Sequence, residues 1–238
     1  MSPHNTDEPS DPREGNRVLA GLPRDDFDRL RPHLEPFEVQ AGDVLAHAGD
    51  AIDHLYFLQT GMLSMVASTA AGSTVEVAFV GNEGMAGAVA LLGARTLPYG
   101  LIAQLPGRGW RAHVEAVREE LLAGNQMLAF LHHYVQVLLA QITQAAICNR
   151  FHSPRERLSR WLAHTFDRAG TDAIPMTHEF IATMIGGARS LVTQASNELR
   201  ELGVIDYRRG RLQLLDVRGL REQACECYAT VTAAVKTL

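Results

Sequence analysis

Arg189, Ser190, Thr193, Gln194 and Asn197 have the types and spacing best suited to chemistry in this chain. Steps of three and four residues put them on one face of a helix. Arginine, glutamine and asparagine there offer the paired donors and acceptors that read base edges in the major groove. The other face carries Val192, Ala195, Leu199 and Leu202, an apolar stripe for packing. Gly186-Gly187 makes the turn before this helix. A shorter helix precedes the turn, capped by Thr177, with small Ala182 where the second helix must cross closely. After Gly203, Val204–Tyr207 and Arg211–Leu215 flank Arg208-Arg209-Gly210, a hairpin with a basic tip suited to phosphates. The expected DNA contacts are Thr177, Arg189, Ser190, Thr193, Gln194, Asn197, Arg208 and Arg209. A plain helical hairpin with a solvated polar face competes with this reading. The glycine turn, the small crossing residue and the basic tip together favour DNA.

Other reactive residue types lack a reactive pattern. There is no Gly-x-Ser-x-Gly, no His-Glu-x-x-His and no zinc-type Cys/His spacing, so no catalytic residue is expected. Cys225-Glu226-Cys227 resembles a ligand pair, but residues two apart on a helix face different ways. No metal and no cofactor is therefore expected. The cysteines, Cys148, Cys225 and Cys227, are too few for a disulfide framework and fit a reducing cytoplasm. Gly81, Gly84 and Gly87 are spaced like a phosphate-binding loop but lack its lysine and its strand–loop–helix setting, so they read as turn glycines.

These residues need elements to hold them. Leu121–Asn149 contains no Asp, Glu, Lys or Arg. Within it Leu128, Leu131, Val135, Leu138, Ile142, Ala145 and Asn149 alternate steps of three and four, a heptad seam for a partner helix. A second copy, a monomer core and a bilayer all suit such a helix. Gln126, Gln136, Gln141, Gln144 and His132-His133 argue against the bilayer. Dimerisation is the expectation, with His132 and His133 at the seam's edge.

From Phe37 to Arg111, short apolar runs are cut by glycine turns, which implies an all-β barrel or sandwich able to hold one small ligand. Leu55–Leu58, Thr74–Val80 and Leu101–Leu105 are its clearest strands. Asp25 to Leu30 suggests a short helix between Pro23 and Pro32. Ser153-Pro154-Arg155-Glu156 opens a further helix with a capping box. The fold class is α+β. Residues 1–16 are expected to be a disordered tail, 17–120 a β-roll sensor, 121–149 the dimerisation helix and 150–238 a winged helix-turn-helix. Net charge is −5, yet residues 1–149 carry 9 basic and 17 acidic side chains and residues 150–238 carry 13 and 10. A basic back half is the half that suits phosphates.

In this order the parts resemble the cyclic-AMP receptor/Fnr (Crp-Fnr) family of bacterial transcription regulators. The resemblance rests on Ala41-Gly42-Asp43-Val44-Leu45, Tyr56-Phe57-Leu58-Gln59-Thr60-Gly61, and Thr177–Ala182 through Gly203–Gly210. It implies a cyclic-nucleotide-binding-type β-roll, a homodimer, double-stranded DNA and RNA polymerase as partners, a small-molecule effector and no membrane. Family members that bind cyclic nucleotides carry Gly-Glu-Leu and, about ten residues on, Arg-Ser or Arg-Ala. Here the matching stretch is Gly87-Ala88-Val89, with Pro98-Tyr99 near the arginine place and Arg95 the nearby cation. Gly87, Ala88, Val89, Arg95 and Tyr99 are the expected pocket residues, and the effector is unknown and not cyclic AMP. The iron–sulfur cysteines of Fnr-type members have no counterpart before Cys148. The cyclic-AMP receptor has glutamate at the Ser190 place and arginine at the Gln194 place, so its target sequence does not carry over. Ala188 replaces the usual serine cap of the recognition helix. A dimeric sensor or adaptor with a degenerate reader is the competing function.

Overall fold

The computed structural model describes residues 11–123 and 125–238. The expected tail therefore falls mostly outside the described residues, and its last part is corrected. Asn16 is 1% exposed. Its Nδ2 donates to Leu58 O and Gly84 O, and its Oδ1 caps α1 (Arg17–Gly21). A polar, acidic stretch reads as tail because its partners are backbone carbonyls far along the chain. Helix α2 (Arg24–Leu30) follows, with Asp25 and Asp26 in its first turn, where the helix dipole favours acids.

Seven antiparallel strands come next: β1 (Glu35–Val39), β2 (Val44–Ala46), β3 (His54–Leu58), β4 (Met62–Ser68), β5 (Thr74–Val80), β6 (Gly100–Leu105) and β7 (Gly107–His113). They form two sheets, in the orders β1-β7-β3 and β2-β6-β4-β5. Leu58, Leu63, Met65, Ala78, Val80, Leu101 and Ala103 fill the roll. The strand period of two then sends Met62, Val66 and Phe79 outward into a second core, and a register shift between β4 and β6 sends Leu105 with them. That outer face is covered as well, which is why β4 is buried from Met62 through Val66.

Its cover is helical. Helix α3 (Val114–Ala123) leads to α4 (Asn125–Phe151), and the capping box of Ser153 and Glu156 starts α5 (Pro154–Ala169). Strand β8 (Ala173–Pro175), α6 (His178–Ile185), α7 (Arg189–Glu201), β9 (Ile205–Arg208) and β10 (Arg211–Leu214) follow. They end in the sheet β8-β10-β9. Helices α8 (Val217–Gln223) and α9 (Glu226–Val235) close the chain. Among the described residues no helix is long and apolar enough to cross a membrane.

The sheet and α5 are joined by a buried polar chain. Ser64 Oγ lies 2.5 Å from Glu76 Oε2 and 2.8 Å from Gln104 Oε1. Gln104 Nε2 donates to Thr165 Oγ1 at 2.6 Å, which donates to Trp161 O at 2.8 Å. Burial pushes Glu76 up to about 7. Ser64 has one hydroxyl proton and faces two acceptors, so the chain closes when Glu76 is protonated and donates to Ser64.

Helix α4 splits the expected seam. Leu131, Leu138 and Ala145 are 1%, 5% and 5% exposed, all within this chain's own core. Leu128, Val135, Ile142 and Asn149, seven residues apart, stay wholly or partly accessible. Their neighbours on the open face are Leu139, 58% exposed, and the exposed His132 and Ala146. The open heptad seam is thus Leu128, His132, Val135, Leu139, Ile142, Ala146 and Asn149. A stripe read as one face serves two, because the roll takes every second position. Tyr134 faces the roll, where its Oη donates to Met85 O at 2.7 Å. Gly84 makes room, since a Cβ there would stand 2.7 Å from the tyrosine ring.

Candidate nucleic-acid interface

Thr177 Oγ1 accepts from Phe180 N at 3.1 Å and starts α6. The helix ends at Gly186, whose φ of +64° favours glycine. Glycine is also required for space, because a Cβ would stand 2.8 Å from Val75 Cγ2 on β5. Helix α7 then begins at Arg189, and its N-cap Ala188 supplies no side-chain bond.

The faces of α7 separate nearly as its sequence dictates. Val192 and Leu199 are fully buried and Ala195 is 2% exposed. Arg189, Ser190, Gln194 and Asn197 are exposed. Gln194 Nε2 donates to Glu198 Oε1 at 3.1 Å, so its amide is already oriented along the helix. Two residues depart. Leu202, expected inside, is 53% exposed, because it is the C-cap where the chain leaves the helix toward Gly203. Thr193 is half-buried. Its hydroxyl donates to Arg189 O at 3.0 Å, leaving it to accept from His178 Nδ1 at 3.1 Å.

His178 also stacks on Tyr207, ring centroids 4.2 Å apart, and Tyr207 Oη donates to Met176 O at 2.6 Å. These contacts tie α6, α7 and the β9–β10 wing into one rigid reader. Burial and then the Arg189 charge lower the pKa of His178, which favours the neutral ring this network uses. Neither His178 nor Tyr207 is legible as a positioning residue before β9 is folded back over α6.

The wing turns through Arg209 (φ +50°) and Gly210 (φ +75°). Two left-handed residues between paired strands make a type I′ turn. Arg208 is 83% exposed and pairs with Asp206 at 2.7 Å. Arg189, Arg208, Arg209 and Arg211 are all exposed on the reader.

The reader sits against the roll. Arg157 Nη2 donates to Gly186 O at 3.1 Å and to Ile185 O. Arg168 holds Glu83 by three hydrogen bonds of 2.8, 3.1 and 3.2 Å, and its guanidinium lies 4.4 Å above the Phe79 ring. A cleft of about 780 Å3 separates the β4–β5 connection from the α6–α7 turn, lined among others by Ser68, Thr74, Arg157, Glu179 and Arg189.

The expected effector residues divide between two cores and the surface. Gly87, with φ of +88°, and Ala88 pack beside Leu55 and Phe57. Val89 and Tyr99 join the roll interior, where burial pushes the Tyr99 hydroxyl up to about 12. Arg95 is exposed and contributes its carbonyl to Ile52 N at 3.3 Å. Arg118, unremarked in the sequence, donates to Ala90 O at 2.6 Å and holds this segment.

Residues 36–123 match the cyclic nucleotide-binding domain, and residues 137–223 match the Crp-like helix-turn-helix domain. The chain belongs to the Crp-Fnr family of transcriptional regulators. As a Crp-Fnr regulator it is 27% identical over 196 residues to transcriptional regulator SdrP of Thermus thermophilus, covering 80% of this chain and 94% of that one. Its fold is shared by a CRP/FNR family transcriptional regulator from Thermus thermophilus, with a TM-score of 0.62, 24% identity, and 80% and 98% of the two chains covered. The c-di-GMP responsive global regulator CLP of Xanthomonas campestris has the same fold, with a TM-score of 0.67, 14% identity, and 82% and 100% covered.

Proposed function

We propose that this Crp-Fnr regulator is a homodimer that reads a palindromic DNA site and answers to a signal other than cyclic AMP. The observation that carries the reading is the outer face of α7. Arg189, Ser190, Gln194 and Asn197 stand exposed there, beside a wing bearing Arg208 and Arg209. Arg189 is the leading base reader, able to hold a guanine bidentately. Thr193 supports it from the carbonyl side. Thr177, Arg208 and Arg209 serve phosphates. The α7 amides lack a side-chain cap, and a DNA phosphate is a partner such an N-terminus accepts.

In this account residues 17–120 sense, α4 pairs two subunits, and residues 150–238 bind DNA and meet RNA polymerase in the cytoplasm. The pairing face is Leu128, Val135, Leu139, Ile142 and Ala146, with Asn149 at its end. Leu131, Leu138 and Ala145, buried in the subunit, support that face from behind. A signal reaches the reader through β5, on which Gly186 rests. Ala88 offers no carboxylate to a ribose, and the nearby cation, Arg95, is exposed while Tyr99 is buried in the roll, which argues for another effector or none.

The competing account is a dimeric adaptor with a degenerate reader. Affinity for double-stranded DNA across a salt series separates the two. Neutralised phosphates give a log–log slope of about −0.9 per contact. A steep slope is expected, and no measurable DNA binding at low salt would defeat the regulator account.

A further inference from the structure

Four side chains distant in sequence converge where α4 ends. Cys148 lies in the last turn of α4 and His152 just past its end, where His152 N still donates to Cys148 O at 3.2 Å, so the two stand one turn apart. Cys225 is the N-cap of α9 and Cys227 lies in its first turn. Residues two apart face different ways only where both are helical. Cys225 is extended (φ −68°, ψ 165°), so its sulfur turns back toward that of Cys227. The ligand atoms of all four residues lie within 4.8 Å of one another.

We propose that Cys148, His152, Cys225 and Cys227 form a tetrahedral Cys3His site for a zinc ion. Bonds of about 2.3 Å at the tetrahedral angle separate two sulfurs by about 3.8 Å, and sulfur from imidazole nitrogen by about 3.5 Å. The Cys148–Cys225 sulfurs are 3.5 Å apart, and Cys227 Sγ is 3.6 Å from His152 Nδ1. The atoms are therefore set at ligand spacing before any ion enters. The second ring nitrogen is also provided for. His152 Nε2 lies 3.1 Å from Glu226 Oε1, so a donated N–H fixes the tautomer that leaves Nδ1 free for metal. Three thiolates and one zinc ion leave a net negative charge. Arg160, 7% exposed with its Nε unpaired, is close enough for its charge to act on Cys148 and Cys227. All three cysteines are buried, at 0%, 5% and 0% exposure, which suits a closed structural site.

The ion would join two helices whose ligands stand about 77 residues apart in the chain. It would fix α9 to the end of α4, next to the 151–153 junction where the chain passes into the DNA-binding half. The proposal goes beyond the regulator reading and does not depend on DNA binding.

The test uses the full chain, stripped with chelator, reduced and kept free of oxygen. Cobalt(II) is titrated in as a spectroscopic stand-in, then displaced with zinc. About one equivalent per chain should give the visible bands of tetrahedral cobalt and a thiolate-to-cobalt charge-transfer band, both abolished by zinc. Zinc should also raise the thermal midpoint, because an ion bound only by the folded chain stabilises it. Cys225→Ser and Cys227→Ser should each weaken the charge-transfer band, and His152→Ala should weaken affinity. The wild-type spectrum decides even where a variant fails to fold. Cobalt without a charge-transfer band would overturn the proposal. So would an undiminished band in Cys225→Ser, or a Cys148–Cys225 disulfide in a chain that, once reduced, takes up no metal.

Discussion

Ala88 and Glu76 show how much a single side chain decides. Where a carboxylate would meet a ribose, Ala88 is buried against Leu55 and Phe57. An arginine–phosphate pair is among the strongest polar contacts and is not easily replaced. Calorimetry should accordingly find no binding of cyclic AMP at low micromolar concentration, and a clear low-micromolar isotherm would refute the claim. Glu76 carries a pH prediction. Burial raises its folded pKa from 4.5 to about 7, so the folded chain keeps a proton that the unfolded chain releases. Its stabilising contribution is complete below the unfolded pKa and is lost as pH rises through about 7. In urea unfolding, wild type should lose stability relative to Glu76→Gln between about pH 5 and about pH 8. A constant difference across that range would mean that Glu76 is not the proton holder. At this scale the exposed outer face of α7 was legible and its supports were not. Arg189, Ser190, Gln194 and Asn197 follow from helical spacing alone. His178, Tyr207 and Cys225 acquire their roles from strand pairing and a helix cap, which spacing does not carry.

Helix α4 is the element on which the proposed pairing depends. Its apolar residues were evident in sequence, but their division was not, since a heptad does not say which stripe the chain uses for itself. Leu138, 5% exposed, belongs to the roll, and Leu139, 58% exposed, belongs to the open face. Leu139→Glu should yield a folded monomer, seen as a cooperative melting curve that no longer depends on concentration and a halved sedimentation mass. Leu138→Glu should instead destabilise the subunit by several kcal/mol, because a buried charge is left without a partner. If Leu139→Glu stays a dimer at micromolar concentration, the open seam is not the interface. The strands were legible for a simpler reason. Thr74–Val80 and Leu101–Leu105 are runs of β-branched or apolar residues, each with a single polar one, between glycine turns, and they became β5 and most of β6.

Across the whole molecule, the fit of the two halves was invisible in sequence. Glu83 and Arg168 are 85 residues apart, and neither stands in a motif. Their side chains are 5% and 10% exposed, so the pair holds roll and reader together in a dry setting. Arg168→Met would leave Glu83 buried and unpaired, a loss of about 3–5 kcal/mol in unfolding free energy. Adding Glu83→Gln should recover part of it, and a single-variant loss below about 1 kcal/mol would show that the pair is not structural. The central claim, that two readers on one α4 pair recognise a palindrome, is tested most directly by selecting sites from random double-stranded DNA. Wild type should enrich a two-fold sequence whose half-sites lie about one helical turn apart. Arg189→Ala should recover that sequence with one base position per half-site relaxed, at a loss of about 1–3 kcal/mol per half-site. Arg208→Ala should recover it unchanged, with weaker binding to all sequences. Enrichment of no palindrome by wild type, or an equally sharp consensus from Arg189→Ala, would contradict the account.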